Sequence, residues 1–154
     1  MDSRGKKTLI IDDDQAILDS CSQVLLRENY SVKTAENGEE GLRLFKEESF
    51  DVVLLDLKMA GLSGEAVLSK IMEESPETPV IIITAYATIE SAVNAIKAGA
   101  FNYIPKPFTP EQLRVIVGQA IAHRRLTFEN IYLRSEAESR KEFETIIGDL
   151  PPKN

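Results

Sequence analysis

The sequence predicts an α/β fold in which helices wind both faces of a five-stranded parallel sheet. Three observations predict it. Short runs rich in Val, Ile and Leu recur at Thr8 to Ile11, Val52 to Leu55 and Val80 to Ile83, and such runs read as strands covered on both faces. Helix-spaced apolar patterns separate them, so that β and α alternate five times. The 154 residues suit one domain with a short tail and fall well below the roughly 250 of an eight-stranded barrel.

Each element has a local reason. Residues 2–7 are a polar, basic lead-in to strand one, Thr8 to Ile11. Asp14 or a neighbour caps the next helix, whose apolar positions Ile17, Leu18, Cys21, Val24 and Leu25 recur at helical spacing. Strand two is Ser31 to Ala35, and Asn37-Gly38 turns the chain into a helix with Gly41, Leu42 and Phe45 inward. Strand three ends at Asp56. Gly61 and Gly64 bracket a loop before a third helix carrying Ala66, Val67, Leu68, Ile71 and Met72, which Pro76 and Pro79 end. After strand four, Thr88 caps a helix containing Ile89, Ala92, Val93 and Ile96, stopped by Gly99. A weaker fifth strand, Phe101 to Ile104, precedes Thr109-Pro110-Glu111-Gln112. There Thr109 caps, Pro110 fits the first helical position and Gln112 completes a capping box.

The last helix has no obvious stop. Apolar positions persist from Leu113 to Ile131, and beyond about Arg125 that face has no sheet to pack on. A linker helix over 123–147 that pairs with a second chain is expected, against the alternative of a solvated tail.

Composition narrows the function. A formal charge of -7 and a pI of about 4.8 argue against a DNA-binding surface on these residues. Residues 123–154 carry six charges of each sign, so the acidity belongs to the first part. The single cysteine, Cys21, excludes an intrachain disulfide and a cysteine-based metal site, and its helical position reads as core. No apolar run approaches the roughly 18 residues of a membrane span, and the N-terminus lacks the apolar core of a signal peptide. A cytoplasmic location is expected. His123 reads as a solvated helix side chain.

The strand ends carry the chemistry. Strand one runs into Asp12-Asp13-Asp14, strand three into Asp56, strand four into Thr84, and strand five leads to Lys106. Open parallel sheets place their ligand crevice at the C-terminal ends of the strands, so these groups meet at one edge. Like carboxylates this close repel unless a cation lies between them. Mg²⁺ suits an all-oxygen set. Asp13, Asp56 and a backbone carbonyl just past Asp56 would hold it, with Asp12 acting through a water. A carboxylate can itself attack phosphorus. Asp56 is the candidate nucleophile, Lys106 the charge for a phosphoryl oxygen, and Thr84 with the Ala85 N–H the hydrogen-bond donors. Two other readings use the same residues. An acid-nucleophile phosphohydrolase would want a second acid two residues after Asp56, where Lys58 stands. A receiver-like interaction domain would bind partners without phosphorylation.

Ile11-Asp12-Asp13-Asp14, Leu54-Leu55-Asp56-Leu57, Ile83-Thr84-Ala85-Tyr86-Ala87 and Lys106-Pro107-Phe108 together resemble the response-regulator receiver domain of two-component signalling. The resemblance covers residues 7 to about 122. It implies a flavodoxin-like sheet of order 2-1-3-4-5 and transfer of a phosphoryl group from a sensor histidine kinase to Asp56. It also implies an acidic Mg²⁺ pocket of Asp12, Asp13 and Asp56 with the Lys58 carbonyl. Thr84 and Tyr103 resemble the family's switch pair, Lys106 its phosphoryl-contacting lysine, and Lys106-Pro107 its cis peptide. The stretches 84–93 and 98–103 resemble receivers of the nitrogen-regulatory and dicarboxylate-transport class, which activate sigma-54-dependent transcription. That class implies a receiver over 1–122 and a dimerising linker over 123–147. Residues 148–154 then begin an ATPase module, as Phe143 to Gly148 suggest, and no Walker A motif is present. It implies dimerisation through the linker and the helix 4–strand 5–helix 5 face, with no nucleic-acid or membrane contact by this segment. Ala60 stands where the family usually has proline, which leaves the loop after Asp56 less restricted.

Overall fold

The computed structural model of the chain describes residues 6–123. Five strands, β1 (Lys7–Ile11), β2 (Ser31–Ala35), β3 (Val52–Asp56), β4 (Val80–Thr84) and β5 (Asn102–Pro105), form one sheet. All neighbours are parallel, in the order β2-β1-β3-β4-β5. The intervening helices are α1 (Gln15–Arg27), α2 (Gly38–Glu47), α3 (Gly64–Glu74) and α4 (Ile89–Lys97). A further helix, α5, runs over 110–123 within the described residues. Order and alternation are as expected. The expected linker over 123–147 and module entry over 148–154 lie outside the described residues, His123 apart.

The central strands β3 and β4 are buried along their whole length, because each face of the sheet carries its own core. Leu9, Ile11, Val53, Leu55 and Ile82 pack against α2 and α3 on one side. Ile10, Leu54, Ile81 and Ile83 pack against Leu18, Leu25, Leu113 and Val117 of α1 and α5 on the other. Side chains alternate faces along a strand, so an unbroken apolar run is what a strand with two covers requires. Burial on this scale is worth roughly 1.5–3 kcal/mol for each large aliphatic side chain. It anchors the strand tips from beneath.

Helix starts follow the capping residues. Asp14 accepts from Ala16 N–H at 3.0 Å, Asn37 from Glu40 N–H at 2.8 Å and Ser63 from Ala66 N–H at 3.2 Å. Thr109 and Gln112 exchange the reciprocal bonds of a capping box. α4 is the least embedded helix: Ala95 is its one buried residue, and Ile89, Val93 and Ile96 are exposed. His123 is exposed as expected, yet its ring packs on Phe101 with centroids 5.1 Å apart. Among the described residues no helix is long and apolar enough to cross a membrane.

Candidate functional site

The parallel sheet brings Asp12, Asp56, Thr84 and Lys106 to one edge, since β1, β3 and β4 are hydrogen-bonded neighbours and β5 completes the row. Asp56 is the last residue of β3 and is 4 % exposed. Close approach of α3 closes the site from below: a Cβ on Gly64 would stand 2.3 Å from the Asp56 carbonyl oxygen and 2.5 Å from Leu57 Cα. Only glycine fits there, because both obstacles are backbone.

The three acids expected to share a cation come together. One carboxylate oxygen from each of Asp12, Asp13 and Asp56 lies within 4.8 Å of the others. Their environments differ. Asp12 is fully buried and Asp13 is exposed, which leaves Asp13 as the solvent side of the cluster. Asp12 is also more heavily engaged than a purely water-mediated role would suggest. Its Oδ1 accepts the Asp14 N–H at 2.9 Å, and its Oδ2 accepts from Lys106 Nζ at 2.7 Å. Asp14 stands apart as the α1 cap.

Lys106 reaches back 3.4 Å to Asp56 Oδ2, while the Lys58 N–H donates to Asp56 Oδ1 at 3.2 Å. Burial and then the charge of Asp12 push Asp56 up to about 6, against the lowering effect of the Lys58 N–H and of Lys106. The Lys106 ammonium is disfavoured by burial, but its hydrogen bond and charge contact with Asp12, joined by Asp56, outweigh this and hold it above its ordinary value. Cys21, beneath the site, is pushed up to about 12 by burial and then by Asp12. It is a protonated core thiol, as its helical position suggested.

An all-oxygen set with one exposed member, around a buried carboxylate whose pKa is raised, is chemistry that fits a small divalent cation. Lys106-Pro107 is cis, as the resemblance implied.

Thr84 ends β4 and is 1 % exposed. Its Oγ1 accepts the Tyr86 N–H at 3.2 Å, so it is tied to its own loop. Tyr103, half-buried on β5, meets Ser91 Oγ at 2.6 Å. Ser91 was not picked out from the sequence. The signal present was its position three after the Thr88 cap, but which side chain would come to it from β5 is a matter of sheet packing.

A family model described as the response regulator receiver domain matches residues 8–118. Among curated relatives, a putative response regulator NtrX-like of Rickettsia conorii is 37% identical over 143 residues, covering 92% of this chain and 30% of that protein. The transcriptional regulatory protein ZraR of Salmonella typhimurium is 37% identical over 136 residues, covering 88% and 31%. The chain therefore spans about a third of the length of these relatives. A CheY-like receiver domain crystal structure from Methanospirillum hungatei matches with TM-score 0.77 and 36% identity, over 80% of this chain and 98% of that one. NtrX from Brucella abortus, crystallised with ADP, matches with TM-score 0.80 and 31% identity, over 84% of this chain and 30% of that one.

Proposed function

Because the chain belongs to the response regulator receiver domain family, we propose that it accepts a phosphoryl group on Asp56 and passes the change to an output module. The observation that carries the reading is a buried Asp56 carboxylate at a strand tip, 3.4 Å from Lys106 and clustered with Asp12 and Asp13. The donor is a phosphohistidine of a sensor kinase. An Asp56 oxygen attacks phosphorus, the new O–P bond forms as the P–N bond breaks, and the imidazole nitrogen keeps the electron pair and takes a proton. Asp12, Asp13, Asp56 and the Lys58 carbonyl would hold Mg²⁺, which when bound neutralises phosphoryl oxygens. Lys106, already a donor toward Asp56, turns to a phosphoryl oxygen, and the Ala85 N–H donates to another. Asp12 keeps Lys106 aimed. No group follows Asp56 that could act as acid–base toward a leaving alcohol, so turnover on phosphate monoesters is not expected, only slow loss of the chain's own phosphoryl group.

Readout runs through Thr84, whose hydroxyl leaves Tyr86 for a phosphoryl oxygen, and through Tyr103. The exposed Ile89, Val93 and Ile96 of α4 and Val115 of α5 support a pairing face made by α4, β5 and α5. The relatives' greater length supports a following output module, and the resemblance to sigma-54 activators implies that it is an ATPase with a DNA-binding part. Intact mass after incubation with Mg²⁺ and a small phosphodonor tests the acceptor: one phosphoryl addition on the wild type and none on Asp56→Asn. Modification of Asp56→Asn to the same extent would remove Asp56 from the role. For the readout, Thr84→Ala should take a phosphoryl group yet not change its oligomeric state on doing so, by light scattering at matched concentration.

A further inference from the structure

A chain of contacts joins Thr84 to Tyr103 by way of the α4 cap. Thr84 Oγ1 holds the Tyr86 N–H. Two residues on, Thr88 caps α4: its Oγ1 accepts the Ser91 N–H at 3.0 Å, and its own N–H donates to Ser91 Oγ at 3.2 Å. The same Ser91 Oγ lies 3.0 Å from Thr88 Oγ1, 3.2 Å from the Thr88 carbonyl and 2.6 Å from Tyr103 Oη. A serine hydroxyl has one proton and two acceptor sites. With Tyr103 Oη taking one of these, Ser91 Oγ is held where it also accepts the Thr88 N–H, so the contact and the cap support each other.

We propose that Ser91 is a positioning residue that couples Thr84 to Tyr103, so that the Tyr103 hydroxyl and the α4 cap hold or release each other together. This rests on the reading of Thr84 and Tyr103 as the switch pair. Thr84 is locked in the core, whereas residues 85–88 are all exposed, so a turn of the Thr84 hydroxyl is taken up by that loop. Thr88 lies at its end, and moving Thr88 moves the bonds at Ser91. α4 buries only Ala95, so packing contributes little to its first turn and the cap carries much of what keeps it helical. The hydroxyl contact from β5 is then a large share of what holds a weakly packed element. Filling the space beside Thr84 with the Tyr103 ring needs no such bond, and this separates the two routes.

Amide hydrogen exchange on the full chain tests it. Tyr103→Phe keeps the ring and removes only the hydroxyl, on an element outside α4. Amides over 89–92 should exchange roughly three- to tenfold faster in Tyr103→Phe, the worth of one neutral hydrogen bond. Ser91→Ala should be at least as fast, Ser91→Thr should restore protection, and the double variant should be no faster than Ser91→Ala. With phosphodonor and Mg²⁺, wild-type exchange over 86–92 should change, and this change should vanish in Tyr103→Phe. Unaltered α4 exchange in Tyr103→Phe, or additive effects of the two substitutions, overturns the coupling. Intact mass on the same samples keeps the readings separate. A chain that takes no phosphoryl group sinks the acceptor function, while the resting comparison still decides the Ser91–Tyr103 contact.

Discussion

Lys106 Nζ lies 2.7 Å from Asp12 Oδ2 and 3.4 Å from Asp56 Oδ2, so the lysine is held chiefly by the acid that is not the proposed acceptor. Asp12 is fully buried, and an uncompensated buried charge is costly. Lys106→Met should lower folding stability by roughly 3 kcal/mol at pH 8. The loss should be smaller at pH 5, because Asp56, without its cation, takes a proton. Denaturant unfolding at the two pH values checks this, and an equal loss at both would show that Lys106 does not compensate Asp56.

Asp56 gives the resting fold a pH dependence of definite sign. Its folded pKa, about 6, is raised above the ordinary 3.8, so the native state binds the proton more tightly than the unfolded chain. Its contribution is fullest below the unfolded value and is lost as pH rises through about 6, by about 1–3 kcal/mol. Lys106, held above its ordinary value, keeps its contribution throughout that window. In chelator, Asp56→Asn should be more stable than wild type at pH 7.5, and the difference should shrink toward pH 4. Urea midpoints across that range measure it.

Cation binding should run the other way. Mg²⁺ needs an ionised Asp56, so its apparent affinity should climb as pH rises through about 6. Saturating Mg²⁺ should raise the melting temperature, in line with roughly 2.7 kcal/mol at a hundredfold excess over Kd, and chelator should reverse it. Asp13→Asn, at an exposed position, should cost little stability in chelator yet weaken Mg²⁺ binding in calorimetry. Undiminished binding would remove Asp13 from the ligand set.

Gly64→Ala tests how closely α3 supports the proposed acceptor. The added carbon meets the backbone of Asp56 and Leu57, which cannot rotate away as a side chain would. A loss of about 1–3 kcal/mol and slower phosphorylation of Asp56 by a small donor are expected, read from unfolding curves and timed intact mass. A fully stable Gly64→Ala variant with unchanged rate would show that the helix yields easily.

The departure from the family pattern at Ala60 is mild in structural terms. Ala60 is exposed, and the turn it belongs to is made by Gly61 at φ 78°. Ala60→Pro should therefore leave Mg²⁺ binding near wild type and raise stability by about 0.4–1 kcal/mol through the unfolded chain, measured by thermal melting.

The amino-acid sequence alone determined the fold class, the five strands, the caps at Asp14, Thr88 and Thr109, and the set Asp12, Asp13, Asp56, Thr84, Lys106. These were legible because each depends on short-range chemistry: apolar runs that need two covers, hydroxyls and carboxylates at helix starts, and polar residues at strand ends that a parallel sheet must gather. The tertiary structure decided what depends on long-range packing. It made Lys106 the partner of Asp12 before Asp56, raised Asp56 through burial, left Asp13 as the solvent face of the cluster and brought Tyr103 to Ser91. Distances between side chains far apart in the chain follow from the register of β1, β3, β4 and β5 and from the angle of α4, and local residue patterns carry neither.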